Sequence, residues 1–284
     1  MTSEFVDVDR SQQNGSRVLV AVSSERDLRA LLATAYAMAA PDGEIRLLTV
    51  TRRGNAPSWL VIPDVYGDVK ITTVTRAGRN TGAIILAETR VYLPDALILG
   101  WSGGLSRGRY LLGRTLDPVV QAARCDVIVQ QGEFSRDLQR ILVPAAGGPN
   151  APRALTLGRA LAPEAEITAL YVANEKMGRA EVLVGQARLD LMMQHLSIPD
   201  QEYVVPKIVQ APTPVDGILG EAQKDYDLLI LGAGNEGFVD RFIFGDIPQT
   251  ILDRSSLPVM VVRRRPTSLG SFWRRSWEIG RAHV

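Results

Sequence analysis

The stretch LILGWSGGLSRGRYLLGRTLDPVV, residues 97–120, sets five glycines and three arginines between two apolar runs. It begins inside DALILG (95–100), a short apolar run of the kind that forms a buried strand. It ends in a helix expected over roughly 114–124, just before the strand CDVIVQQ (125–131). The same order of signals returns downstream. DLLILGAG (227–234) enters a second glycine-rich loop, a helix follows over 246–255, and LPVMVVRR (257–264) closes the unit.

Working outward, both halves share one plan. The first has strands at RVLVAV (17–22), EIRLLTV (44–50) and KITTVTRA (70–77). Helices fall over 26–40, with Leu28, Leu31, Leu32, Ala35 and Met38 on one face, and near 79–92. The second half has strands at RILVPA (140–145), EITALYV (166–172) and QEYVVPKIVQ (201–210), and helices over 151–162, 177–196 and 213–225. Strands alternating with helices build a parallel sheet covered on both faces, and right-handed crossovers make it doubly wound. The fold class is therefore α/β, with two tandem doubly wound domains. Residues 1–16 form a disordered N-terminus, 17–131 the first domain, 132–139 a short polar linker, 140–264 the second domain and 265–284 a basic tail. The segment APSWLVIPDVYGD (56–68) breaks the alternation and is too apolar for a plain linker, which suits a lid or a docking surface.

Composition excludes several classes. With 32 Lys and Arg against 31 Asp and Glu, the net charge is +1, which gives no electrostatic case for nucleic acid. Cys125 is the only cysteine, and His195 and His283 are the only histidines. That rules out an internal disulfide and a thiolate- or histidine-based metal centre, and fits a reducing compartment. No stretch approaches the ~20 apolar residues of a membrane span, and the N-terminus lacks the basic start and apolar run of a signal peptide. A cytoplasmic, soluble chain is expected. The tail holds RRRPTSLGSFWRRSW (263–277), with five arginines, and the closing EIGRAHV reads as a translated sequencing adapter rather than native sequence.

In a doubly wound sheet, ligands bind outside the carboxyl ends of the strands, where both glycine loops leave. Gly100, Gly103 and Gly113 follow a G-x2-G-x9-G spacing. Glycine permits positive φ and close backbone approach, so the loop amides can face an anion. The following helix adds the positive end of its dipole. Arg107, Arg109 and Arg114 would contribute charge and Thr115 a hydroxyl. The plainer reading is a turn from strand to helix. In the second loop Gly245 follows Gly237 after seven residues rather than nine, with Gly234 leading. Asp246 suits an N-cap there, before Pro248. Cys125 reads as an apolar filler, His195 as a surface or capping residue, and Met192 and Met193 as core or interface. Trp101 either covers a nucleoside or packs on the neighbouring domain.

Two β/α units, each with its glycine loop after strand 4, resemble a tandem universal stress protein over residues 17–131 and 140–264. GWSGG, LLGRTLDPVV, RILVPAAGGPNAP and GNEGFVDRFIFGDIPQTIL are most similar to universal stress domains attached to membrane transporters. The resemblance implies five-stranded parallel sheets in the order 3-2-1-4-5. It also implies strand-5 dimerisation, here turned into a contact between the two domains, with a homodimer as a further possibility. It implies ATP or AMP as ligand, with magnesium only as the nucleotide's own companion. The site would use Gly100, Gly103, Gly113, Arg114, Thr115 and Ser23, with Gly234, Gly237 and Gly245 as a second, weaker set. The sequence departs from the family pattern where Ser23 or Ser24 stands in place of the strand-1 Asp and Arg114 in place of Ser or Thr. In the second domain Asp246 takes the Ser/Thr position, and VPAAGG has no strand-1 Asp. No catalytic residues are identified. There is no Ser-His-Asp set, no P-loop lysine and no metal cluster, so at most weak ATP hydrolysis is expected. The expected function is a non-enzymatic, adenine-nucleotide-binding stress-response regulator. It would lie in the cytoplasm or on the cytoplasmic face of the membrane, with a transporter as partner. The alternative is a nucleotide-free dimerisation or interaction module.

Overall fold

β1 (Arg17–Ala21) is buried along Val18, Leu19 and Val20, as a run with no polar face requires: it lies in the interior of a sheet with helices on both sides. The computed structural model describes residues 16–60, 62, 65–66, 68–103, 112–134, 137–146, 150–194, 196, 201–233 and 246–265. After β1 come α1 (Glu25–Ala39), β2 (Glu44–Thr51), β3 (Val65–Tyr66), β4 (Val69–Ala77), α2 (Thr81–Tyr92), β5 (Ala96–Trp101), α3 (Leu116–Ala122) and β6 (Asp126–Gln131). The second unit runs β7 (Arg140–Pro144), α4 (Ala151–Leu161), β8 (Glu166–Asn174), α5 (Gly178–Gln194), β9 (Val204–Ala211), α6 (Pro214–Ala222), β10 (Leu228–Gly232), α7 (Asp246–Arg254) and β11 (Val259–Arg263).

The parallel strands stand in the order β4-β2-β1-β5-β6 and β9-β8-β7-β10-β11, so each unit has the 3-2-1-4-5 order. The two units are one sheet. β6 and β11, the fifth strand of each, pair antiparallel, with Val129 opposite Val261 and Val127 opposite Arg263. Among the described residues this gives an eleven-stranded sheet, with the two-residue β3 antiparallel on the outer edge of β4. Both hydrophobic layers cross the junction. One face joins Val20, Leu31 and Ile128 to Ile141, Leu155 and Met260. The other joins Leu99, Val119 and Val129 to Leu231, Ile251 and Val261. α1 and α4 meet over the first face. Gln130, 2% exposed, ties β6 to α1 by accepting from Thr34 Oγ1 (2.7 Å) and donating to Ala30 O (3.0 Å).

The repeat extends to single hydrogen bonds. Asp95 accepts from the Arg17 amide and Asp227 from the Arg140 amide, both at 2.9 Å. Glu88 and Glu221 lie at the same distance from their helix N-caps, Asn80 and Thr213, and each is 3% exposed. Glu88 pairs with Arg46 (3.2 Å) and Arg76 (2.9 Å), and Glu221 with Lys207 and Lys224 (both 2.7 Å). The halves differ between their second and third parallel strands. The second half has α5 there. In the first half Trp59, Leu60 and Ile62 pack against the core on the α1 side, and Tyr36 donates to Asp68 at 2.9 Å. The described part of the apolar insert is thus folded down at the outer edge of the sheet.

Because both cores span the junction, thermal unfolding should proceed in one calorimetric transition, and Val261→Asp should lower its midpoint by at least ~4 °C. Two well-separated transitions in the unaltered chain would contradict this. A second prediction concerns acid. Burial pushes the Glu221 carboxyl up, but hydrogen bonds from Lys207, Lys224 and Tyr226 outweigh it and hold the carboxyl below its usual range. A carboxylate depressed in the folded state stabilises above its unfolded pKa of ~4.3, and that contribution is lost as pH falls through the folded value. Glu221→Gln should therefore cost about 1–2 kcal/mol near pH 7 and progressively less below about pH 4, measured by urea unfolding.

Candidate functional site

The strand order reverses between β1 and β5 in the first unit and between β7 and β10 in the second. A ligand crevice is expected outside the carboxyl ends of those strands. In the first unit α1 starts there. Ser24 caps it, accepting from the Asp27 amide at 3.1 Å. The Asp27 carboxylate reaches back to the Ser23 amide (3.3 Å) and to the Ser23 hydroxyl. This is a reciprocal capping arrangement. It holds the carboxylate over the end of β5, where a Cβ placed on Gly100 would stand 3.8 Å from Asp27 Oδ1 and 3.4 Å from Leu31 Cδ1. Ser23 is exposed, and its hydroxyl is engaged by Asp27. A carboxylate from the first turn of α1 thus lies beside Ser23 at the end of β1. The SERD sequence of residues 24–27 carried that signal, and sequence reasoning missed it.

Gly103 and Gly113 frame the glycine loop, and both adopt positive φ, +76° and +102°. A Cβ on Gly103 would lie 3.5 Å from Gln131 Nε2, whereas Gly113 faces open space. Among the described residues Gln131 Oε1 is buried without a hydrogen-bond partner. This second residue, at the end of β6, was also missed. The turn into α3 is held from within: Asp117, 3% exposed, accepts from the Leu112 amide at 2.7 Å, and its own amide donates to Gly113 O. Arg114 and Thr115 are exposed, and the Thr115 side chain makes no cap bond. The structure therefore sets Ser23 and Asp27 beside Gly100 and Gln131 beside Gly103, with Gly113, Arg114 and Thr115 following at the entry to α3. Arg107 and Arg109 lie outside the described residues. Trp101, 8% exposed, packs in the α3-side core beside Gln131.

The second unit is arranged differently. Strand register makes Gly232 the counterpart of Gly100. A Cβ on Gly232 would stand 3.0 Å from Asn150 C and Cβ and 3.1 Å from Ala151 N. The start of α4 is therefore seated on the end of β10. Asn150, 7% exposed, donates to Ala233 O and accepts from the Arg264 amide at 3.0 Å, stitching the ends of β10 and β11 together. Among the described residues, the place beside Gly232 is filled by the chain's own backbone. Gly234, Gly237 and Gly245 lie outside the described residues, as do His195 and the side chain of Asp246, which opens α7.

Cys125 is buried, and desolvation pushes its thiol up to about 11, which makes it an inert filler. Met192 is buried and Met193 packs against the core, as expected. Among the described residues no group of His, Cys, Asp and Glu has the arrangement of a metal site, and no helix is long and apolar enough to cross a membrane.

The model of the universal stress protein family matches residues 63–130 and 138–263. A universal stress protein from Archaeoglobus fulgidus has a similar structure, with a TM-score of 0.60 at 20% identity over 88% of this chain and 97% of that one. A putative universal stress protein from Pseudomonas aeruginosa gives 0.57 at 15% identity, over 88% and 94%. The cytoplasmic domain of a prokaryotic cation chloride cotransporter gives 0.61 at 14% identity, over 87% and 95%. No curated protein matches the chain.

The contrast between the two crevices predicts unequal responses to one added methyl group. Gly232→Ala must displace backbone and should cost about 1–3 kcal/mol. Gly100→Ala meets ordinary van der Waals distances and should cost less than about 1 kcal/mol. Urea denaturation of the two variants measures both, and equal costs would show that the crevices are equally filled.

Proposed function

The chain belongs to the universal stress protein family, and from that premise we propose that it is a non-enzymatic, adenine-nucleotide-binding regulator with its site in the first domain. The observation that carries this reading is the Asp27 carboxylate beside Gly100, with the side-chain amide of Gln131 beside Gly103. A carboxylate at the strand end calls for a ligand with donors, and ribose hydroxyls are donors. The loop between two positive-φ glycines calls for the opposite, since backbone amides turned inward receive phosphate oxygens. A ligand with a donor-rich end and an anionic end is a nucleotide. Asp27 would hold the ribose, as a carboxylate does in dinucleotide folds. Arg114 and Thr115 stand exposed at the loop's far end, where they would meet phosphate.

Turnover is not part of the proposal. The described residues around the crevice include no lysine of the P-loop kind, and Arg114 would meet the phosphate as a binding charge. For the second domain, the contacts of Asn150 and Ala151 with the end of β10 speak against a nucleoside there. We place the protein in the cytoplasm beside a membrane transporter. The fold it shares with a cotransporter's cytoplasmic domain is in keeping with that. The second reading, an interaction module without nucleotide, is favoured by that filled second crevice.

Calorimetric titration with AMP and ATP tests the proposal. One nucleotide per chain is expected. Asp27→Ala should weaken binding about tenfold, equivalent to ~1.4 kcal/mol, and Gly103→Val should abolish it. Absence of binding by the folded, unaltered chain would leave the interaction module as the function.

A further inference from the structure

Arg263 ends β11 on the α3-side face of the sheet and is 4% exposed. Its Nη2 donates to two carbonyls of the first domain, Ala123 O (2.7 Å) and Cys125 O (3.5 Å). Its Nε and Nη1 are buried without a partner among the described residues. Three N–H donors are therefore unspent, one on Nε and two on Nη1. Buried polar groups are ordinarily paired, and a buried charge is costly when it is not. Arginine does not escape by giving up its proton, even though burial lowers its pKa against the pull of Cys125 and Asp126.

The neighbouring carboxylate does not answer this charge. Asp126 Oδ2 accepts from Arg153 Nε at 2.7 Å, and Oδ1 accepts from the Arg265 amide at 2.9 Å. Both carboxylate oxygens are thus engaged, one by a guanidinium and one by a backbone amide, and the side chains of Arg264, Arg265 and Arg124 are exposed. The position is also one where ligands gather. The Ala233 amide donates to Val262 O at 2.8 Å, so Arg263 stands at the carboxyl edge of the second domain's sheet, beside the end of β10. Its counterpart in the first domain is Gln131, which pairs with Trp101 at the end of β5. The same fold position carries a neutral acceptor in one domain and a cation in the other.

We propose that Arg263 forms the floor of an anion site at the carboxyl edge of the second domain, taking a phosphate-sized oxyanion as inorganic phosphate or as a small phosphate monoester. A tetrahedral oxyanion brings several acceptors to the unspent donors and completes the missing charge. Because the same guanidinium holds the Ala123 and Cys125 carbonyls, occupancy tightens the junction between the domains. The site is separate from the nucleotide crevice of the first domain and does not depend on it.

Titrating the full chain with inorganic phosphate, at ionic strength kept constant with chloride, tests this. Calorimetry should show one saturable phosphate per chain, and the melting temperature should rise with phosphate but not with chloride. Glycerol phosphate should act similarly if monoesters are accepted. Arg263→Gln should weaken phosphate binding at least tenfold and remove the thermal response, while Asp27→Ala should leave both intact. Absence of saturable phosphate binding by the unaltered chain overturns the proposal whether or not Arg263→Gln folds. So does phosphate binding that survives Arg263→Gln, or that disappears in Asp27→Ala.

Discussion

The antiparallel pairing of β6 with β11 is the constraint on which the rest of the structure depends. In a five-stranded 3-2-1-4-5 sheet, strand 5 is an edge, with unpaired amides and carbonyls and apolar side chains on both faces. Such an edge is a liability that must be covered. Here each domain covers the other's. Val127, Ile128 and Val129 lie against Val261, Val262 and Arg263, and the chain is committed to both domains at once. Gly132, at φ +81°, turns the backbone away beside Pro258, where a Cβ would stand 3.4 Å from the proline Cα. The antiparallel direction also sets the carboxyl edges of the two sheets at opposite ends of the junction, so two ligand sites would not face one another.

Within that frame the duplicated parts have diverged most at the strand ends. The amino-terminal ends remain alike: Asp95 and Asp227 cap the same backbone amides, and Glu88 and Glu221 each hold two cations. These groups stabilise the fold and are indifferent to ligand. The carboxyl ends differ. Where the first domain offers Asp27 over Gly100, the second sets Asn150 on Gly232. Where the first ends strand 5 in Gln131, the second ends in Arg263. A fused pair of this kind can keep one domain for recognition and use the other to receive or oppose it.

Much of the fold was legible in the chain. DALILG and DLLILG announce the same buried strand twice, and the alternation of short apolar runs with amphipathic helices gives a parallel sheet and two domains. The 3-2-1-4-5 order and the strand-5 contact came from family resemblance, since strand order is not written in periodicity. The candidate site was legible only in part. Gly100, Gly103 and Gly113 follow a spacing that can be read, and Ser24 and Asp27 form a capping pair that can also be read. Gln131, Asn150 and Arg263 could not be found that way. Each looks like an ordinary strand or loop residue, and its meaning arises from what the sheet sets beside it: a glycine of another strand, the carbonyl that ends β10, or the backbone of the other domain.

The most direct test of an open first crevice and a filled second one is hydrogen–deuterium exchange of the full chain with and without saturating AMP. The account predicts added protection at residues 22–27 and 100–103, with none at 145–151 or 232–233. Added protection confined to the second set of residues, or distributed equally over both, would contradict it.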